Sequence, residues 1–354
     1  MSKKKTEQDN INVEKELEED LAKAGLSGLV ELAENAPDMS VACVSTGFPQ
    51  LDVILHQALK GLPLGRDVEI YSKETEVGKT SLGLHFVAAF QKQKLRTVII
   101  DTERTMTLDY LHRIGIITDP EQDQTTPAVR IIRPEEVLSA EEVLDLVKSA
   151  AKVFDLVVLD SLAALDLKTN LEKSADEANK MCGIAGLMSS FLRKNVKKRA
   201  CVVWINQTRS YIGYNPTGQQ KFVTMGGRAL PFFGSIRLEL SIIEKLKDAN
   251  DRCYGFKIKA FTAKNNLSRQ WLATNLTYIF DEGFSSIYDY FDAAKAAKVI
   301  TKSGAWLQYG DVKAQGDYNF YRKMKDDPKL FNEIKQAVDG TEPALEEAAN
   351  ESAA

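Results

Sequence analysis

Six short apolar runs, rich in valine and isoleucine and separated by helix-prone stretches, constrain this chain more than any other feature. They read VEIY (68–71), RTVIIDTE (96–103), DLVVLDS (155–161), ACVVWINQ (200–207), IRLELSII (236–243) and YGFKIKAF (254–261). Strands buried on both faces carry apolar residues on both, and parallel strands need crossover helices that cover those faces. The pattern therefore predicts an α/β fold with a mostly parallel central sheet flanked by helices.

With 354 residues the chain has room for one large domain and a smaller appendage. Residues 1–38 are polar and helix-prone, with Leu17, Leu21 and Leu26 among many charges. Residues 39–285 hold the α/β core. From 286 to 338 the pattern changes to a helix (SIYDYFDAAKAAKV), a hairpin (AWLQYGDVKA) and helices split at Pro328, a small C-terminal α/β domain. Residues 339–354 end in TEPALEEAANESAA, with four glutamates and no base, and are expected to be a disordered acidic tail. No internal repeat is visible.

Composition excludes some classes. No apolar run approaches the ~18 residues of a membrane span, and MSKKKTEQDN lacks the apolar core of a signal peptide. Cys43, Cys182, Cys201 and Cys253 lack CxxC spacing, which predicts reduced thiols in a cytoplasmic protein. His56, His85 and His112 have no partners at metal-ligand spacing. A net charge of −4 weighs against nucleic-acid binding, yet a basic groove can sit on an acidic body.

The most informative stretch is EIYSKETEVGKTSLGLHFVAAF (69–90). A β-type run ends at Tyr71, a polar loop follows, and Gly78, Lys79, Thr80 and Ser81 open a helix. Backbone amides at such a helix start can cradle phosphate oxygens. Lys79 would then reach the β- and γ-phosphates, and the Thr80 hydroxyl would coordinate Mg2+. The pattern GxxxxGK[ST] asks for glycine at 73, where this chain has Lys73. By itself the stretch could equally be a chance GKT on a helix cap. Three further run ends change that balance. Asp160 can support a metal-bound water, Glu103 can activate an attacking water, and Gln207 can sense a γ-phosphate. Each alone could be an ordinary polar strand end. Together they stand at the carboxyl ends of β-runs, where an open α/β sheet binds its ligand.

The ordered set VSTGFPQLDVIL (44–55), GLPLGRDVEIY (61–71), GKTS, DTE, VVLDSLAAL (157–165), INQTR (205–209), MGGRALPFFGSIRLEL (225–240) and SGAWLQYG (303–310) resembles the bacterial RecA recombinases from about 40 to 337. The resemblance implies a RecA-like P-loop ATPase core, an N-terminal helical oligomerisation segment and a small C-terminal domain. It implies an ATP-dependent recombinase of DNA repair, which forms filaments on single-stranded DNA and exchanges strands with a homologous duplex. ATP and Mg2+ are the implied cofactors; both DNA forms and further copies of the chain are the implied partners. Lys79, Thr80 and Asp160 would hold triphosphate and metal, Glu103 would activate water, and Gln207 would couple the γ-phosphate to the following loop. Tyr110 matches the tyrosine that stacks on adenine, although a half-buried helix aromatic would look the same. Loops at about 168–180 and 208–226 would face DNA, the second through Arg209, Ile212, Lys221, Phe222, Gly226 and Gly227. The second loop makes sense unaided, since its cations suit phosphates and its apolar side chains suit separated bases. A mobile surface loop without a ligand would have the same composition. RKNVKKR (193–199) reads as a solvated helix end, with Ile184, Met188, Phe191 and Leu192 spaced to pack on the sheet.

Three departures stand against the family pattern. The phosphate loop lacks its leading glycine and is one residue longer. Of two lysines that reach the neighbouring subunit's γ-phosphate, Lys264 matches the first and Asn266 replaces the second. Residues 1–38 match only loosely. Such drift suits a phage or plasmid recombinase or a diverged paralogue. It also leaves two rival readings, a regulatory DNA-binding relative with little turnover and a RecA-fold ATPase acting on protein.

Overall fold

The computed structural model describes residues 15, 19–25, 40–134, 137–171, 182–195, 197–210, 222–248, 250–340 and 346–347. The chain divides into residues 1–41 and 42–354. In the first unit residues 19–23 are helical, and Lys23 pairs with Asp20 at 3.1 Å. Most of the expected oligomerisation segment lies outside the described residues.

In the second unit the central sheet runs through Gly283–Phe284, Leu272–Ile279, Cys253–Asn265, Ile236–Lys247, Asp67–Tyr71, Cys201–Ile205, Leu156–Asp160, Thr97–Asp101 and Arg130–Ile132, in that spatial order. From Ile236–Lys247 onward each strand is parallel to the next. The three strands on the other side are antiparallel. All six expected runs are strands. The sixth joins an antiparallel extension, and the alternation in IRLELSII and YGFKIKAF is its trace in the sequence. Leu272–Ile279 and Arg130–Ile132 were not anticipated.

Side-chain alternation divides each parallel strand between two cores. Val98, Ile100, Val157, Leu159, Val202 and Trp204 pack with helices Ala140–Val153 and Cys182–Lys194. Ile99, Val158, Val203, Ile205, Val68 and Ile70 pack with helices Lys79–Lys92 and Pro49–Leu55. Both faces are covered, which is why the runs are continuously apolar. Helix Ala140–Val153 begins in a capping box between Ser139 and Glu142 and buries Val143, Leu144, Val147 and Ala150 at helical spacing. Ile184, Met188 and Leu192 are buried on the sheet as expected, and Phe191 meets Trp204 edge-on at 5.9 Å.

The C-terminal elements follow the expected order. Helix Ser286–Ala296 leads into a three-stranded sheet of Thr301–Ser303, Trp306–Tyr309 and Val312–Gln315, then helices Asp317–Asp326 and Pro328–Asp339. Pro328 opens the last helix, and Asp327 caps it by accepting from Lys329 and Leu330 backbone amides. Phe291, Phe320, Leu307 and Ile334 form the core of this region. In the acidic tail, Glu346–Glu347 form a two-residue strand against Leu272–Ala273; its other residues beyond 340 lie outside the described set.

Asp289 sits where helix Ser286–Ala296 meets the amide of Gln50, which donates to its Oδ2 at 3.4 Å, while its Oδ1 is buried without a partner. Burial holds this carboxyl well above the usual range, Asp292 and Asp52 reinforce the effect, and the Gln50 amide and Lys257 oppose it. A raised folded-state acid contributes its full stability below its unfolded value of about 3.9 and loses it as pH climbs through the folded value. Asp289→Asn keeps an acceptor and cannot ionise. Its melting temperature should exceed the parent's at alkaline pH, and the gap should close in acid. A lower melting temperature at alkaline pH would show that the carboxylate is stabilised as an anion.

Candidate functional site

Strand Asp67–Tyr71 delivers the chain to a loop that ends at Gly78, the N-cap of helix Lys79–Lys92. Ser72 is buried and its Oγ accepts the Glu74 amide at 2.9 Å, closing the first turn of the loop. Left-handed backbone falls at Glu76 (φ 57°) and Gly78 (φ 79°), and Lys73 has none. The missing glycine at 73 therefore imposes no strain there. Lys73 instead extends its ammonium to Glu239 on the adjacent strand at 3.3 Å. Lys79 turns back over the loop, its Nζ donating to the Glu74 carbonyl at 3.4 Å.

The ends of four neighbouring strands surround a cavity of about 520 Å³. Gly78, Lys79, Thr80, Ser81, Glu103, Tyr110, Asp160 and Gln207 all line it, which brings eight of the expected site residues together. Burial is the main cause of the Asp160 carboxyl being pushed up to about 7. Glu103 and Asp101 add to that, while a hydrogen bond from Thr80 and the charge of Lys79 oppose it. Burial also lowers the Lys79 ammonium, against the pull of Asp160 and Glu103. Asp160 Oδ2 is buried without a partner beside the Thr80 hydroxyl. An oxygen pair of this kind fits a hard divalent cation.

Glu103 is held by its surroundings. Thr102 donates from its amide (2.8 Å) and hydroxyl (2.9 Å) to the Asp160 carbonyl, and the Ser161 hydroxyl donates to Glu103 Oε1. Tyr110 donates to Ser81 Oγ at 2.6 Å. Tyr278 joins this cluster, its hydroxyl raised to about 12 by burial first and then by Tyr110. Phe256 and Phe280 meet edge-on at 5.1 Å, and with Tyr110 and Tyr278 they give the cavity an aromatic wall. Phe256 and Tyr278 give no sequence signal of this role because aromatics on strands look like core, and Phe280 follows directly on strand Leu272–Ile279.

Gln207 follows Asn206, a fully buried residue whose Oδ1 accepts the Gln207 amide at 2.9 Å. Asn206 Nδ2 donates to Glu69 (2.8 Å) and to the Met225 carbonyl (2.9 Å), so one side chain grips both ends of the second loop. Thr208 donates to the Ser72 carbonyl at 3.0 Å, tying that loop to the phosphate loop. Thr208–Ser210 and Phe222–Thr224 form an antiparallel hairpin with Arg209 opposite Val223 and Phe222 exposed. Ile212, Lys221 and the rest of 211–221 lie outside the described residues, as do 172–181 of the first loop. Gly226 and Gly227 turn with φ of 80° and 63° beside helix Cys182–Lys194, and Gly226 is buried near Leu162 and Met188. Lys264 stands outside the cavity, donating to the Pro231 and Phe232 carbonyls at 2.9 and 2.8 Å.

Comparison with known proteins decides the family. The family model for the RecA N-terminal domain matches residues 12–285, and that for the RecA C-terminal domain matches 289–341. The chain belongs to the RecA family. Protein RecA of Crocosphaera subtropica is 35% identical over 321 residues, covering 89% of this chain and 86% of that protein. Protein RecA of Rickettsia bellii is 32% identical over 339 residues, 93% of this chain and 94% of the relative. This is a RecA-type recombinase, with the DNA-dependent ATPase activity of that family.

Within the RecA core, Glu69 is fully buried between Asn206 and the Arg237 guanidinium. Removing one partner of a buried pair leaves an uncompensated charge, at a cost of about 3–5 kcal/mol. Arg237→Ala should lose about that much in denaturant unfolding, and adding Glu69→Gln should restore part of it. A loss no larger than that of a surface pair would show that Glu69 is not desolvated.

Proposed function

We propose that the cavity binds ATP with Mg2+ and hydrolyses it at an interface completed by a second copy of the chain. What supports the reading is the convergence of Lys79, Thr80, Asp160, Glu103 and Gln207 on one cavity from adjacent strand ends. The amides opening helix Lys79–Lys92 and the Lys79 ammonium hold the triphosphate. Thr80 and Asp160 hold the cation, which when bound neutralises phosphate charge. Glu103, fixed by Ser161, takes the proton from the attacking water. Tyr110 and the neighbouring aromatics accept the base. Gln207 reports the γ-phosphate to the loop that Asn206 anchors at both ends.

Arg209 and Phe222 stand at the base of that loop and face single-stranded DNA in this reading, with Ile212, Lys221, Gly226 and Gly227. Residues 1–38 link successive subunits, residues 286–338 form a separate C-terminal domain, and the filament works in the cytoplasm on single- and double-stranded DNA. Lys264 is supplied to the neighbouring subunit's triphosphate, consistent with its place outside its own cavity. Asn266 favours a second reading, a DNA-binding relative with weak turnover, because it brings no charge to that interface.

ATP turnover with and without single-stranded DNA separates the readings. Strong stimulation supports the recombinase, and DNA binding without turnover supports the second reading. Lys79→Ala should abolish ATP-dependent assembly with the fold intact. Glu103→Gln should still bind ATP and keep its filaments, but lose turnover about 10²–10⁴-fold, the worth of a positioned base. Loss of ATP binding in Glu103→Gln equal to that of Lys79→Ala would remove Glu103 from this role.

A cation reaching across an interface can accelerate phosphoryl transfer by about 10³–10⁵-fold. Asn266→Lys should accordingly raise the DNA-stimulated rate, and Lys264→Ala should nearly eliminate it. If neither changes turnover, the site is not completed by a neighbour in this way.

A further inference from the structure

The phosphate loop carries a charge that opposes its own ligand. Glu76 lines the nucleotide cavity from within the loop, two residues before Gly78, and its carboxylate has no hydrogen-bond or ion-pair partner among the described residues. Neither of the other charged residues of the loop, Lys73 and Glu74, lines that cavity. Lys73 is committed to Glu239, and the Glu74 backbone is used by Ser72 and Lys79. Glu76 also holds a left-handed backbone, φ 57°, which a residue with a Cβ adopts at a cost. A position whose backbone suits glycine carries instead an exposed acid at the cavity wall. Among the described residues the charged groups lining that cavity are Glu76, Glu103, Asp160 and a single cation, Lys79. A triphosphate therefore enters a site whose own balance is acidic.

We propose that Glu76 is an affinity-setting residue of the nucleotide site: its carboxylate repels the phosphates, so ATP binds tightly only when divalent cation is abundant. The inference rests on the reading of the cavity as an ATP site and adds a regulatory property to it. Repulsion between a loop carboxylate and phosphate is strongest when the phosphate charge is bare. A bound divalent cation cancels part of that charge and so part of the repulsion. Assembly of this chain on DNA would then follow free Mg2+ more steeply than nucleotide concentration alone dictates.

The test is titration calorimetry of the full-length protein with a non-hydrolysable ATP analogue, at low and at saturating free Mg2+. Glu76→Gln keeps the size of the side chain and removes its charge. It should tighten binding about fivefold or more at low Mg2+, with the gain shrinking at saturation. Glu76→Gly removes the charge and releases the left-handed backbone, so it should tighten binding likewise without lowering the melting temperature. Unchanged affinity in Glu76→Gln at both Mg2+ levels overturns the repulsion. Weaker binding overturns it too, and would make Glu76 a ligand of the cation. If the parent binds no analogue and Lys79→Ala is indistinguishable from it, the ATP reading itself fails and this inference falls with it.

Discussion

The buried carboxylate of Glu69 is the point on which the geometry of the site turns. It lies on the strand that enters the phosphate loop, between the strand that leads into Asn206 and Gln207 and the strand that carries Arg237. One oxygen accepts from Asn206, which holds the two ends of the second loop. The other pairs with Arg237, whose guanidinium lies 4.5 Å over the Tyr71 ring at the mouth of the phosphate loop. Arg237 is the cross-strand neighbour of Lys264. Three parts of the machine thus meet at one desolvated charge. Such a charge has little freedom to move, because any partner lost leaves it unpaired in a medium that cannot solvate it.

Rigidity at that hub has a consequence for coupling. Asn206 carries Gln207 on one side and Met225 on the other, and Thr208 bonds directly to Ser72. A change at the phosphates that moved Gln207 would be transmitted to the root of the hairpin Thr208–Ser210/Phe222–Thr224, not absorbed in a soft linker. The turn at Gly226 and Gly227 closes the loop against helix Cys182–Lys194, where Ala185 lies 3.0 Å from the place a Cβ on Gly227 would occupy. A two-state element needs packed neighbours on both sides, and this loop root has them.

Much of this was legible from residue order. Asp160, Glu103 and Gln207 sit at the ends of apolar runs, and parallel strands bring such ends to one edge, so their convergence followed from the pattern. Glu69 was not legible, since its partners lie 137 and 168 positions away and no local spacing reveals them. Strand Leu272–Ile279 was missed because Thr274, Asn275 and Thr277 dilute its apolar signal, and Arg130–Ile132 because three residues are too few. With that strand went Tyr278, and the neighbouring Phe280 and Phe256 had no visible reason to be wall rather than core. The tail's pairing at Glu346–Glu347 had no sequence signal at all, since two glutamates carry little strand preference.

The altered phosphate loop shows how a motif can lose its signature glycine without backbone strain at that position. Glycine is required where backbone must turn with positive φ or where a side chain would block the ligand. In this chain the positive φ angles sit at Glu76 and Gly78, next to the helix, and position 73 has none. The extra length is taken up by a turn closed on Ser72 and pinned by Lys73 to Glu239, itself held by the Tyr71 hydroxyl at 3.0 Å. Lys79 still arrives at the first turn of its helix, beside Asp160 and Glu103. Glu76 stands where a glycine would serve the backbone better, and the charge it carries there belongs to a residue of the cavity wall.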